Sequence, residues 1–173
     1  MKKMIVTQRY VSPCGEMILG AYDGELCLCD WVNSKRRTNV DNRLQRLLKA
    51  RFEVGSTMVI EEACRQLDGY FRGVRRKFDL PLYMGGTDFQ IAVWSELRRI
   101  PYGKTIEYGE LAKRLGMPKS VRAVANTVGM NGLSVMVPCH RVLGIHNQLI
   151  GYNGGLEAKE YLLNLEHGVK YDV

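Results

Sequence analysis

The sequence predicts an α+β fold, and three observations carry that reading. The first half holds an alternating apolar stretch broken at Asp23-Gly24. The second half is a succession of short apolar stripes at helical spacing, each closed by Gly or Pro. The apolar content is 46% of 173 residues, which is normal for a packed globular core.

Taken in order, apolar residues at 17–19 and 26–31 flank Tyr22-Asp23-Gly24-Glu25, a hairpin signature. Leu44, Leu47 and Leu48 share one face of 41–52 and predict a short helix. Residues 57–71 predict a stronger one, with Ile60, Ala63, Cys64, Leu67, Tyr70 and Phe71 on a single stripe. Phe78-Asp79-Leu80-Pro81-Leu82 reads as extended and leads to Gly85-Gly86. There the chain is expected to divide into an N-terminal domain, 1–82, and a C-terminal domain, 83–173.

Thr87-Asp88-Phe89-Gln90 has capping-box spacing, and the helix after it carries Val93, Trp94, Leu97 and Ile100. It stops at Pro101-Tyr102-Gly103. A helix over 108–115 ends at Gly116, and Pro118 prevents its continuation. Ser120 is placed to cap a helix over 121–128, with Val121, Val124, Ala125 and Val128 facing inward and Arg122 on another side. The two make a helix-turn-helix pattern. Leu133-Ser134-Val135-Met136-Val137 reads as a strand. The last helix, 156–167, packs through Leu162, Leu163 and Leu165. Its Glu166 lies near the C-terminal end, where a carboxylate opposes the helix dipole; a specific partner for it is therefore expected.

The formal net charge of +7 suits a polyanionic partner, though a merely basic surface fits it as well. Residues 1–82 hold 15 Lys+Arg against 10 Asp+Glu, a net of +5; residues 83–173 hold 10 against 8, a net of +2. Lys35-Arg36-Arg37 and Arg75-Arg76-Lys77 read as solvated turns. Met1-Lys2-Lys3 is followed by only three apolar residues, too few for a signal peptide, and no segment is long enough to span a bilayer. A reducing compartment follows, with five free thiols. Cys64 is expected in the core, Cys27 and Cys29 alternate within a strand, and Cys14 sits in an exposed turn. No histidine has zinc-like spacing around them, so no metal is predicted.

The chemistry concentrates in Pro138-Cys139-His140-Arg141. Proline stiffens the turn before the cysteine, and an adjacent imidazole and guanidinium are expected to favour the nucleophilic thiolate. His140 also fits a plain turn brace, Tyr108 a core aromatic, and Asn131 a helix-exit residue.

Several stretches then occur in order: Gly86-Thr87-Asp88-Phe89-Gln90, Ile100-Pro101-Tyr102-Gly103-Lys104-Thr105, Val121-Arg122-Ala123-Val124, Asn131, Val137-Pro138-Cys139-His140-Arg141-Val142 and Gly151-Tyr152-Asn153-Gly154-Gly155-Leu156. Together they closely resemble the 6-O-methylguanine-DNA methyltransferases. The resemblance is dense over 85–167 and weak before it, where it rests on Leu67-Asp68-Gly69-Tyr70-Phe71 and 78–82.

The resemblance implies a ribonuclease H-like antiparallel sheet with helices in the first half. It implies a winged-helix-like, DNA-binding second half whose helix-turn-helix enters the minor groove. Cys139 is then the acceptor of the alkyl group, taken from 6-O-methylguanine (with 4-O-methylthymine as the alternative base) in an irreversible single turnover on a flipped nucleotide. His140 takes the thiol proton through a water, and Glu166 orients His140. Tyr108 donates to the leaving base, and Asn131 bridges the helix-turn-helix to the cysteine turn. Arg122 fills the gap left by the flipped nucleotide, with Ser120, Ala123 and Thr127 on the same DNA-facing helix. Tyr108, Val142, Tyr152, Asn153 and Gly154 line the pocket, the carbonyls of Cys139 and Val142 read guanine's amino group, and Arg141 braces the turn. The partner is double-stranded DNA carrying alkylated guanine. The implied state is a monomer without metal or cofactor, in the cytoplasm or a eukaryotic nucleus.

The chain departs from the family pattern at Glu107, Gly132, Thr127-Val128 and Ile145-His146, none of which removes a reacting group. A lesion-sensing DNA binder is the rival class, and the presence of Cys139 argues against it. A cysteine hydrolase is disfavoured because His140 adjoins the thiol and no oxyanion-stabilising motif is evident.

Overall fold

The computed structural model describes residues 3–170; Met1-Lys2 of the N-terminal charge cluster lie outside them. A four-stranded sheet has the order β3-β2-β1-β4, built from β1 (Met4–Ser12), β2 (Gly15–Tyr22), β3 (Glu25–Trp31) and β4 (Arg51–Val54). The β2–β3 hairpin turns where expected. Asp23 and Gly24 both take positive φ, 50° and 80°, as the right-handed strand twist demands of a two-residue turn. The sheet is not wholly antiparallel, because β4 pairs parallel to β1.

Neither β1 nor β4 is signalled by apolar alternation. In β1 polar Thr7 and Ser12 are buried on opposite faces of the sheet, while Val11, on the face of Thr7, is 79% exposed. The helix expected over 41–52 lies earlier, as α1 (Arg37–Leu48). Lys49 in the left-handed region stops it, and the chain enters β4 at once. Its buried face is Val40, Arg43 and Leu44, whereas Leu47 is exposed. The 35–37 triplet is a turn over Lys35-Arg36, with Lys35 exposed, but Arg36 and Arg37 are paired. Arg37 pairs with the buried Asp30 at 2.8 Å and with Asp41, and Arg36 donates to the carbonyl and side chain of Asn126.

The helices predicted from stripes and stops occur: α2 (Met58–Phe71), α3 (Asp88–Leu97), α4 (Tyr108–Arg114), α5 (Val121–Val128) and α6 (Leu156–Glu166). Thr87 and Gln90 close the capping box on α3. Ser120 occupies the N-cap position of α5 but makes no side-chain cap bond, its backbone lying outside the extended region that capping needs. Cys64 is only half-buried, with Gln8 near its sulfur. One apolar cluster joins the two halves. Met17, Leu19 and Trp31 of the sheet and Leu67 and Tyr70 of α2 pack with Trp94, Leu111, Val124 and Leu162 of the later helices. Gly86 lies inside this packing, since a Cβ there would meet the Trp94 ring at 2.6 Å. Among the described residues no helix is long and apolar enough to cross a membrane.

Residues 133–137 are not a strand. Leu133 makes a single bridge to Cys29, and the chain then turns, with Val135 at φ 72°. A buried apolar run has no periodicity to separate strand from turn. Here Asn131 decides the outcome. Its Oδ1 accepts from Leu133 N at 2.9 Å and its Nδ2 donates to Val137 O at 2.9 Å, folding the segment around one side chain.

Candidate active site

That Asn131-braced turn delivers Cys139 onto a short 3₁₀ turn, Cys139–Arg141, followed by β6 (Val142–Leu143), which pairs in parallel with β5 (Ile106–Glu107). Cys139 is 5% exposed and lines an open cleft of ≈ 1320 Å³. Tyr108 at the start of α4, Arg122 on α5, Tyr152, Asn153 and Gly154 line the same cleft. The sheet contributes Trp31, whose ring packs so closely on Gly154 that a Cβ there would lie 2.6 Å away; this position therefore requires glycine. Gly155 follows at φ 90°, a backbone conformation likewise suited to glycine.

His140 and Arg141 both reach Glu166 at the end of α6. His140 Nε2 lies 2.6 Å from Glu166 Oε2, and Arg141 grips the same carboxylate through Nε at 2.8 Å and Nη2 at 3.0 Å. Arg141 also donates to Ile100 O. A carboxylate only accepts, so Nε2 carries the imidazole proton and Nδ1 keeps its lone pair. Nδ1 has no hydrogen-bond partner among the described residues. Tyr70 OH, at 2.6 Å, and Gly103 N, at 3.2 Å, complete the shell around Glu166. The partner expected of Glu166 is thus a cluster of five donors.

The electrostatics follow from burial. Burial alone would raise the Glu166 carboxyl, but the hydrogen bonds and charges of His140 and Arg141 outweigh it and hold the group well below the usual carboxylate range. Burial pulls the His140 pKa down against the pull of Glu166, which keeps the ring neutral. For Cys139 the expectation of a charge-depressed thiol is not met. Burial pushes it up to about 11, against the Asn131 hydrogen bond and the Lys159 charge; neighbouring His140 is neutral and the Arg141 charge is paired with Glu166. Tyr108 is pushed up to about 12 by burial and the nearby thiol, and so remains a hydrogen-bond donor.

The predicted helix-face residues separate. Arg122 and Ala123 are exposed and Ser120 is half-exposed. Thr127 is buried, with its hydroxyl on Ala123 O and its carbonyl accepting from Trp94 Nε1, so its side chain does not face solvent. Val142 is fully buried and does not line the cleft. Its carbonyl accepts from Lys159 Nζ at 2.7 Å. Asn153 ties the cleft wall to α5 by donating to Gly129 O at 2.7 Å.

Two residues central to this geometry carry no site role in the sequence reading, where Tyr70 appears only in a helical stripe and a weak family stretch. Tyr70 comes from α2, 96 positions before Glu166. Lys159 on α6 is 0% exposed, and its ammonium reaches the carbonyls of Val142, Ile150 and Gly151. A cation three and four residues before Leu162 and Leu163, on the packed side of the helix, was the available signal. Burial lowers its pKa to about 8, while three carbonyl acceptors match the three donors of the charged form. Among the described residues no group of His, Cys, Asp and Glu could hold a metal ion.

The family model for the DNA-binding domain of 6-O-methylguanine DNA methyltransferase matches residues 88–168. A methylated-DNA–protein-cysteine methyltransferase of Methanosarcina acetivorans is 39% identical over 157 residues, covering 91% of this chain and 95% of the relative. The constitutive one of Bacillus subtilis is 40% identical over 161 residues, covering 90% and 91%. Among solved structures, Mycobacterium tuberculosis OGT in complex with DNA superposes with a TM-score of 0.80 at 36% identity, covering 94% of this chain and 92% of that one.

Proposed function

The chain belongs to the methylated-DNA–protein-cysteine methyltransferase family, and we propose that it repairs alkylated DNA directly by taking the methyl group of 6-O-methylguanine onto its own Cys139. The observation that carries the reading is the position of Cys139. It lies in an open cleft shared with exposed Arg122, next in sequence to a neutral imidazole whose far nitrogen is tied to Glu166.

Sulfur must attack the methyl carbon in line with the departing oxygen, as an anion held at about 3–3.5 Å. With the thiol raised to about 11, the resting protein holds it protonated at neutral pH. His140 Nδ1 accepts the thiol proton through a water, and Glu166 stabilises the imidazolium that forms. The S–C bond then forms as the C–O6 bond breaks, and the electron pair leaves with guanine O6. Tyr108, still protonated, donates to the leaving base while charge develops there, and the guanine anion finally takes the proton that the thiol gave to His140, which returns to neutral imidazole. The product thioether has no good leaving group, so each molecule reacts once.

Arg122 supports the stack where the nucleotide has left the duplex, and exposed Ala123 lets α5 approach the minor groove closely. Tyr152, Asn153 and Gly154 form the wall facing the base, and the carbonyl of Cys139 reads its amino group; Val142, outside the cleft with its carbonyl on Lys159, takes no part in that reading. The protein acts as a monomer on duplex DNA, in the cytoplasm or a eukaryotic nucleus. Strand order β3-β2-β1-β4 with a parallel β4 supports a ribonuclease H-like first half, 1–82. The α4–α5 pair followed by β5–β6 supports a winged-helix-like second half, 83–173.

The test is a pair of rates for wild type and Arg122→Ala, on duplex DNA carrying 6-O-methylguanine and on the free base. Wild type transfers methyl from both. Arg122→Ala loses about tenfold or more on duplex and little on free base, because extrusion costs a few kcal/mol and each ~1.4 kcal/mol is a factor of ten. Equal losses on both substrates contradict the wedge role of Arg122. No transfer by wild type contradicts the proposed function.

A further inference from the structure

The carboxylate of Glu166 receives more donors than orientation of one imidazole requires. Its Oε2 alone accepts from His140 Nε2 at 2.6 Å, Tyr70 OH at 2.6 Å and Arg141 Nη2 at 3.0 Å. Tyr70 is fully buried in α2 and held on three sides by rings: Phe71 at 5.2 Å, Phe78 at 5.5 Å and Tyr102 at 6.2 Å between centroids. Its hydroxyl is therefore fixed on the oxygen that His140 uses.

We propose that Tyr70 is a positioning residue for alkyl transfer: by donating to the oxygen that holds His140 Nε2, it limits how much negative charge Glu166 offers the ring and so sets the basicity of the proton acceptor. The role rests on the reading of His140 as that acceptor. It also makes the sheet-bearing half of the chain part of the reaction, since α2 precedes residue 82.

The argument is one of competition. Every donor on Oε2 disperses the carboxylate charge, and dispersed charge stabilises an imidazolium less. Several other groups face the pair. Arg141 comes from the 3₁₀ turn and Lys159 from α6, both lowering the His140 pKa. Tyr102 comes from the loop after α3, with Arg141 5.7 Å and Arg76 5.2 Å from its ring centre. Lys159 acts through space, and Arg141 both as a charge and by direct donation to the carboxylate. Tyr70 alone among them is an uncharged donor on the shared oxygen. Burial and the neighbouring carboxylate raise its own pKa well above the usual value, so it remains a donor at every working pH.

Tyr70→Phe removes the donor and keeps the ring. The His140 imidazole, followed by nitrogen NMR in the free protein, then titrates roughly 0.5–1 pH unit higher, a fraction of the strength of one hydrogen bond to a charged group. The acidic limb of the Cys139 methylation rate moves up by the same amount, because the base must be neutral to act. Tyr10→Phe is the control: it removes a hydroxyl that donates to Asp68 of the same helix at 2.7 Å, away from Glu166, and leaves both midpoints unmoved. If Tyr70→Phe does not fold, 3-fluorotyrosine installed at position 70 keeps the shape, strengthens the donor and lowers both midpoints. A His140 midpoint that stays put, or moves the other way, overturns the proposal. A shifted His140 midpoint beside a methylation profile that does not follow it overturns the role in transfer, whereas a wild type that transfers no methyl faults the functional reading instead.

Discussion

Glu166→Ala loses about 3–5 kcal/mol of folding stability, the cost of stripping one partner from a buried charged cluster. The substitution leaves Arg141, 7% exposed, without its counter-charge, and Tyr70 OH and His140 Nε2 without an acceptor. Glu166→Gln retains the shape and loses less, because its amide oxygen still serves some of the donors. Urea unfolding of the three proteins reads the effect directly, and a loss below about 1 kcal/mol contradicts it. The same cluster sets the acid response. His140 is lowered from 6.5 and Glu166 from 4.5 in the fold. Between folded and unfolded values the unfolded chain binds more protons, so acid favours unfolding. The stabilisation is whole above 6.5 and falls with pH, first through His140 and then through Glu166. Glu166→Gln loses the carboxylate's share of that slope.

Lys159→Met gives the second large effect. Methionine fills the space of the lysine stem, so packing survives, but the carbonyls of Val142, Ile150 and Gly151 lose their shared donor. An unsatisfied buried polar group costs about 1–3 kcal/mol, and release from burying a charge offsets part of this. The larger consequence is local. Lys159 links β6 to the segment entering Tyr152 and Asn153, so amide exchange over 148–155 accelerates about tenfold or more while α2 and the sheet keep their protection. Methylation of Cys139 slows with it, because the wall facing the base is no longer fixed. Unchanged exchange in that segment contradicts the role given to Lys159.

Helices whose signals are local were legible in the sequence. The capping box at Thr87, the stop at Gly116 and the stripe of α2 each belong to a short stretch that decides its own structure. Strand β4 was not, because Phe52 alone is half-buried there and pairing with β1 makes it a strand. Strand β1 hid for the opposite reason, with polar Thr7 and Ser12 buried. In the site, Cys139, His140 and Arg141 announce themselves as consecutive residues, and Glu166 by its unfavourable place on a helix. Tyr70 reads as an ordinary member of a helical stripe, and Lys159 belongs to no motif. Their roles come from contacts across the fold, including a carbonyl of β6 and a carboxylate 96 positions away. The thiol pKa was misjudged because adjacency in sequence suggested positive charge beside the sulfur, whereas His140 is neutral and the Arg141 charge is paired with Glu166.

The central claim is that one sulfur receives the alkyl group. Intact mass of the protein after exposure to excess duplex DNA carrying 6-O-methylguanine, followed by peptide mapping, measures it. The account predicts one added methyl per molecule, on Cys139, with Cys14, Cys27, Cys29 and Cys64 unchanged. An unmodified Cys139 after full exposure, or methyl on another cysteine, contradicts it.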